Sequence, residues 1–174
     1  MIGLPQTAEL RKNRWVTEKG TYEYESERLL RCLGAIGTIS LNDPANWDLE
    51  LTAEEERRVS EVLKNWPGEN HFVVCSIGAK VREKDWGKEN WRNLFSSLSR
   101  LYPNLGLAML GAEIERESNE AISSAWEGPM LNLCGRLSVR ESAVLMRRAP
   151  LFLGHDSGPM HLAAAVGTSC VAIF

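Results

Sequence analysis

Three short segments of this chain gather residue types that suit an anionic ligand. The first is Gly78-Ala79 followed by Lys80, Lys84 and Trp86; the second is Gly111-Ala112-Glu113; the third runs Gly154-His155-Asp156-Ser157-Gly158-Pro159-Met160-His161. Gly78-Ala79 lets backbone approach a ligand closely, and Lys80 or Lys84 offers positive charge to phosphate oxygens. Glu113 stands at the mouth of an expected helix, where open α/β sheets place an acid that accepts from ribose hydroxyls. Asp156-Ser157-Gly158-Pro159 reads as a helix start, with Ser157 or Gly158 capping and Pro159 at the first helical position. The free N–H groups of that first turn favour an anion such as a diphosphate. His161 lies one turn further on, near enough to reach a ligand at the helix start. Taken singly, each feature has a plain structural alternative: a turn with a solvated basic loop, an acid offsetting a helix dipole, an ordinary cap, a satisfied histidine. Their arrival together at the ends of successive strands is the stronger observation.

Other chemistries fit the residues less well. The serine of Gly154-His155-Asp156-Ser157-Gly158 comes one place late for the Gly-x-Ser-x-Gly elbow of a serine hydrolase. No Gly-x-Gly-x-x-Gly fingerprint and no Walker loop occurs, which counts against hydride transfer and ATP hydrolysis. Cys32, Cys75, Cys134 and Cys170 are far apart, without a Cys-x-x-Cys pair or a histidine at ligand spacing. They read as reduced packing residues, and no metal site is expected.

These loops need a scaffold, and the sequence supplies one from His71 onward. His71 to Ile77, Leu105 to Leu110, Met130 to Leu133, Pro150 to Gly154 and Ser169 to Phe174 are short apolar runs. Between them lie helical patterns: Lys88 to Tyr102, Ile114 to Trp126, Val139 to Arg148 with a Ser138/Glu141 capping box, and one containing His161 to Val166. Five strands alternating with four helices predict a parallel, doubly wound, Rossmann-like α/β sheet over 71–174, because strands buried on both faces read as continuous apolar runs. In such a sheet, ligands bind at the carboxyl ends of the strands near the switch in strand order, where the three segments fall. Residues 1–70 read instead as helices and loops without a strand repeat. One helix is expected from Tyr24 to Leu33, ending at Gly34, and another from Ala53 to Trp66, opened by Thr52 with Glu55 and stopped by Pro67-Gly68. This region reads as the remnant of a larger N-terminal domain, and the stop at Phe174, just after a strand, suggests truncation there too.

Composition narrows the partners. The 174 residues are 44% hydrophobic and 25% charged, with a net charge of −3, and Lys and Arg are interspersed with acids. A basic stripe for nucleic acid is therefore not expected. No apolar run approaches the roughly 20 residues of a membrane-spanning helix, and Met1 to Arg14 lacks the apolar block of a signal peptide, so a cytoplasmic location is expected.

With these residues assembled, the sequence resembles glycosyltransferase family nine, the ADP-heptose:lipopolysaccharide heptosyltransferases and their relatives. The mark of the resemblance is Asp156-Ser157-Gly158-Pro159-Met160-His161-Leu162-Ala163-Ala164-Ala165, supported by Gly78-Ala79, Lys84 with Trp86, and Gly111-Ala112-Glu113. Tyr22 to Leu33, with Glu27-Arg28-Leu29, is similar to the family's interdomain region. The resemblance implies a GT-B enzyme of which this chain is mainly the C-terminal, donor-binding part. It implies that Lys84 contacts the diphosphate or sugar, Glu113 holds the ribose, and Ser157 and Gly158 bind phosphate through backbone N–H groups. Gly78 and Ala79 would sit against the donor, and Asp156 and His161 would line the site near sugar and phosphates. The implied reaction is inverting transfer from an ADP-heptose-like donor to a lipopolysaccharide core or other glycan acceptor, with neither metal nor cofactor. The implied setting is the cytoplasmic face of a bacterial inner membrane, with peripheral contact. The general base belongs to the family's N-terminal domain, so no catalytic residue is assigned here and this chain alone is expected to transfer little or no sugar. Two departures stand out: Ile77 replaces the proline often found before the Gly-Ala pair, and Asp85-Trp86-Gly87 replaces Arg-Trp-Pro. Without the resemblance, the same crevice also suits a noncatalytic nucleotide-binding α/β module.

Overall fold

The computed structural model describes residues 7–34, 37, 40–67, 71–78 and 82–174. It divides into two compact units, residues 1–48 and 49–174. In the first unit, β1 (Trp15–Val16) and β2 (Thr21–Tyr22) pair antiparallel, and the Trp15 and Tyr22 rings meet edge to face at 5.2 Å. This hairpin was not expected from the sequence: two residues per strand are too few to show a period. Helix α1 (Glu25–Leu33) follows as expected, its start fixed by the Glu27 carboxylate accepting the Tyr24 N–H at 2.8 Å.

The second unit begins before α2 (Ala53–Leu63) rather than at residue 71. The expected boundary moves because α2 is part of the sheet domain's core. Val59 and Val62 are buried beside Phe72, Val144 and Leu145, while Glu55 pairs with Arg140 and Glu56 with Arg147 and Arg148 on a later helix. Strand β3 (Phe72–Ser76) is followed by a 3-10 turn (Arg82–Lys84) and α3 (Lys88–Leu101). Then come β4 (Gly106–Met109), α4 (Arg116–Ser123), β5 (Met130–Asn132), α5 (Val139–Arg147), β6 (Leu151–His155), α6 (Gly158–Ala165) and β7 (Ser169–Ile173). The five strands β3 to β7 form one sheet in the order β5-β4-β3-β6-β7, every pair parallel. This is the doubly wound α/β fold that the sequence predicts.

The side-chain alternation of β3 shows why its apolar run is unbroken. Phe72 and Val74 face α2 and α5; Val73 and Cys75 face Trp91 and Phe95 of α3 and Ile122 of α4. Both faces are dry, so both parities must be apolar. Each fully buried Val, Leu or Phe contributes about 1.5–3 kcal/mol relative to exposure. The chain's direction of growth reverses between β3 and β6: from β3 it steps outward to β4 and β5, then returns to lay β6 on the other side of β3. Their carboxyl ends therefore diverge into a crevice.

Candidate donor-binding site

The crevice is real and sizeable. A cleft of about 880 Å³ lies at the carboxyl ends of the strands, with walls from Leu110, Leu137, Met146 and Leu162 and polar edges from Ser76, Glu115, Ser157 and His161. An apolar-walled cleft with a few convergent polar groups is the usual form of a small-molecule site.

Of the residues singled out in the sequence, Gly78, Ser157, Gly158 and His161 line this cleft. A Cβ at Gly78 would meet the end of the Glu115 side chain, so a larger residue there would push that carboxylate aside. Ser157 is the residue before α6, Gly158 its first residue and Pro159 its second, one place later than expected. The Ser157 hydroxyl does not cap; it donates to the His155 carbonyl at 3.1 Å, leaving the first-turn N–H groups of α6 to other acceptors.

Lys84 and Asp156 are brought together across the switch point. Lys84 Nζ donates to Asp156 Oδ2 at 2.6 Å, and His161 Nε2 stands 3.6 Å from Asp156 Oδ1. The Lys84 hydrogen bond holds the Asp156 carboxyl below its ordinary range. Neither Lys84 nor Asp156 lines the cleft itself; the ammonium is held by the residue that precedes Ser157, at the start of α6. Ala79, like Lys80, falls outside the described residues.

Glu113 is placed elsewhere. Its carboxylate takes two hydrogen bonds from Arg116, at 2.7 and 2.8 Å, which lower its pKa, and its side chain is 68% exposed and does not line the cleft. The acid that does line it is Glu115, whose carboxylate accepts the Ala112 N–H at 2.6 Å and so is fixed beside Gly78 and Gly111. Residues 113 and 115 lie two apart on a single 3-10 turn and so project differently. The signal that finds Glu115 is its spacing of three from Ala112, the reach of a carboxylate back to a helix-opening N–H.

Beneath the site, His155 is 1% exposed and accepts the Trp86 N–H on Nε2 at 3.1 Å. Strand parity points to it: Leu153 faces the Trp91 side of the sheet, and His155 lies two residues on. Gly87, which stands where the resemblance leads one to expect proline, has φ +92, a conformation closed to proline. Among the described residues, no group of three or more His, Cys, Asp or Glu is placed to hold a metal ion.

The family model described as glycosyltransferase family 9 (heptosyltransferase) matches residues 27–174. The chain belongs to glycosyltransferase family 9. Among curated relatives, it is 21% identical over 128 residues to the lipopolysaccharide core heptosyltransferase OpsX of Haemophilus influenzae, spanning 74% of this chain and 36% of OpsX. The chain thus spans about a third of that relative's length. The crystal structure of a family 9 glycosyl transferase from Veillonella parvula superimposes with a TM-score of 0.72 at 20% identity, covering 92% of this chain and 44% of the other. The Escherichia coli heptosyltransferase WaaC with ADP-2-deoxy-2-fluoro heptose gives a TM-score of 0.57 at 21% identity, over 86% of this chain and 44% of WaaC. At these identities the structural likeness establishes the shared α/β fold.

Proposed function

We propose that this chain is the donor-binding part of a GT-B glycosyltransferase, which moves heptose with inversion from ADP-heptose to a lipopolysaccharide core acceptor without a metal ion. The observation that carries this reading is the Lys84–Asp156 pair beside the first turn of α6, at the switch point of a family 9 domain. In transfer from a nucleotide diphosphate, negative charge builds on the leaving phosphate. Groups already aimed at that charge lower the barrier most. Lys84 supplies a full positive charge, and the N–H groups at Gly158 and Met160 supply the positive end of the α6 dipole. Asp156 orients Lys84, and His161 stands within reach of the same carboxylate. The apolar wall of Leu110, Leu137 and Met146 suits the flat face of a base, with Glu115 taking the ribose hydroxyls. This replaces Glu113 in that role.

A heptosyltransferase with ADP-2-deoxy-2-fluoro heptose bound, and a relative named for the lipopolysaccharide core, support the choice of donor and acceptor. The acceptor's hydroxyl would be activated by an acid of the family's N-terminal domain, with the assembly working at the cytoplasmic face of the inner membrane. Among the described residues no helix is long and apolar enough to cross a membrane.

The test is calorimetric titration of ADP, UDP, GDP and ADP-heptose into the chain and into Glu115→Ala and Glu113→Ala variants. Saturable ADP binding, tighter with the heptose and weakened about tenfold or more by Glu115→Ala but hardly by Glu113→Ala, is expected for a lost hydrogen bond to a charged group. Equal affinity for ADP and ADP-heptose would favour a plain nucleotide-binding module instead. Sugar transfer by the chain alone should be close to background, and rapid turnover would overturn the assignment of the base to another domain.

A further inference from the structure

His155 ends β6 and is absent from the lining of the cleft, yet it touches the loop that presents Lys84. Its Nε2 accepts the backbone N–H of Trp86, so in the neutral ring the proton sits on Nδ1. Nδ1 is buried and has no hydrogen-bond partner among the described residues. An apolar side chain of similar size would fill the same space without that desolvation cost. What the imidazole supplies in return is the acceptor for Trp86.

The rings close the arrangement. Trp91 stands edge to face with His155 at 5.4 Å and with Trp86 at 5.0 Å, so Trp86 is held by its backbone through the imidazole and by its indole through Trp91. The next residue of the chain, Asp156, takes the Lys84 ammonium. Consecutive residues at the end of β6 therefore grip the loop at two points, the backbone of residue 86 and the side chain of residue 84.

We propose that His155 is a positioning residue: by fixing the backbone at Trp86 it sets where Lys84 offers its charge to the diphosphate, without touching the ligand itself. This rests on the reading of Lys84 as a diphosphate contact. The tether spans two strands adjacent at the switch point, so it shapes the crevice where the donor's charge would lie. Pre-orienting one cation in this way spares the ligand the cost of ordering the loop.

The experiment uses the full chain with His155→Leu, His155→Gln and Lys84→Ala. It reads amide exchange at Trp86 and the affinities for ADP and adenosine. His155→Leu should speed Trp86 exchange about tenfold, with β3 and β4 amides unchanged, and weaken ADP about fivefold with adenosine binding unaltered. His155→Gln, whose side-chain oxygen reaches the place of Nε2, should restore both. Lys84→Ala should weaken ADP by itself and leave nothing further for His155→Leu to remove. Unaltered Trp86 exchange in His155→Leu, equal loss of ADP and adenosine, or no rescue by His155→Gln would overturn the proposal alone. Lys84→Ala with undiminished ADP affinity would overturn the reading of Lys84, and this proposal with it.

Discussion

Asp156 shows how much one residue does here: its two oxygens face Lys84 and His161, and its neighbours on either side are the buried His155 and the helix-opening Ser157. The sequence marks Asp156 only in company: a carboxylate at a helix start is an ordinary capping residue, and its arrival at a strand end together with two other such segments is what singles it out. It does not mark Glu115 over Glu113, because two acids on one tight turn differ only in where the turn aims them. The thiols make the opposite case, of reactive chemistry switched off by packing. Burial pushes the Cys75 thiol well up and raises Cys134 as well, so neither offers much thiolate. Iodoacetamide labelling at mildly alkaline pH, followed by peptide mass analysis, should therefore leave both unmodified until denaturant is added. Early modification of Cys75 would mean that the β3 strand opens locally.

Among the elements, those with a strong period or cap are where the sequence places them. Helix α3 follows its apolar spacing from Lys88, and α5 starts at its Ser138/Glu141 box. Shorter or shared features are less legible: the two-residue strands of the hairpin carry no period, and α2 reads as part of a separate region because its partners lie far along the chain. Its charges tell the same story. The Glu55 carboxyl is lowered from its ordinary 4.5 to about 2, mainly by the Arg140 guanidinium and then by the Thr52 N–H that closes the capping box. A depressed acid stabilises the fold fully above its unfolded pKa and loses that contribution as pH falls through the folded value. Wild type should thus melt above Glu55→Gln at neutral pH, with the gap narrowing from about pH 4.5 down to about pH 2. Thermal unfolding by circular dichroism across that range checks it, and a gap independent of pH would point to packing rather than charge. Thr52→Ala, which removes the hydroxyl that accepts the Glu55 N–H, should cost about 1 kcal/mol in the same assay.

For the whole molecule, the decisive fact is where the core lies. Among the described residues, both buried clusters draw their members from residues 51–173, one on each face of the sheet, and those lining the cleft fall within residues 76–165. Among the described residues none before Leu51 belongs to either cluster, and the unit 1–48 has its own hairpin and helix. A domain with its own hydrophobic core can in principle fold alone. A chain of residues 49–174 is therefore expected to keep the parallel sheet, unfold in a single cooperative transition, and bind ADP with the affinity of the full chain. The comparison is circular dichroism and urea unfolding of both forms, followed by ADP titration. A cut at residue 71, which the strand pattern alone suggests, should behave differently: it deletes α2, uncovers Phe72 and Val144, and leaves Arg140, Arg147 and Arg148 without their acids. Loss of cooperative unfolding in the 71–174 chain but not in the 49–174 chain would place the domain boundary before α2. Equal stability of the two would return it to the start of β3.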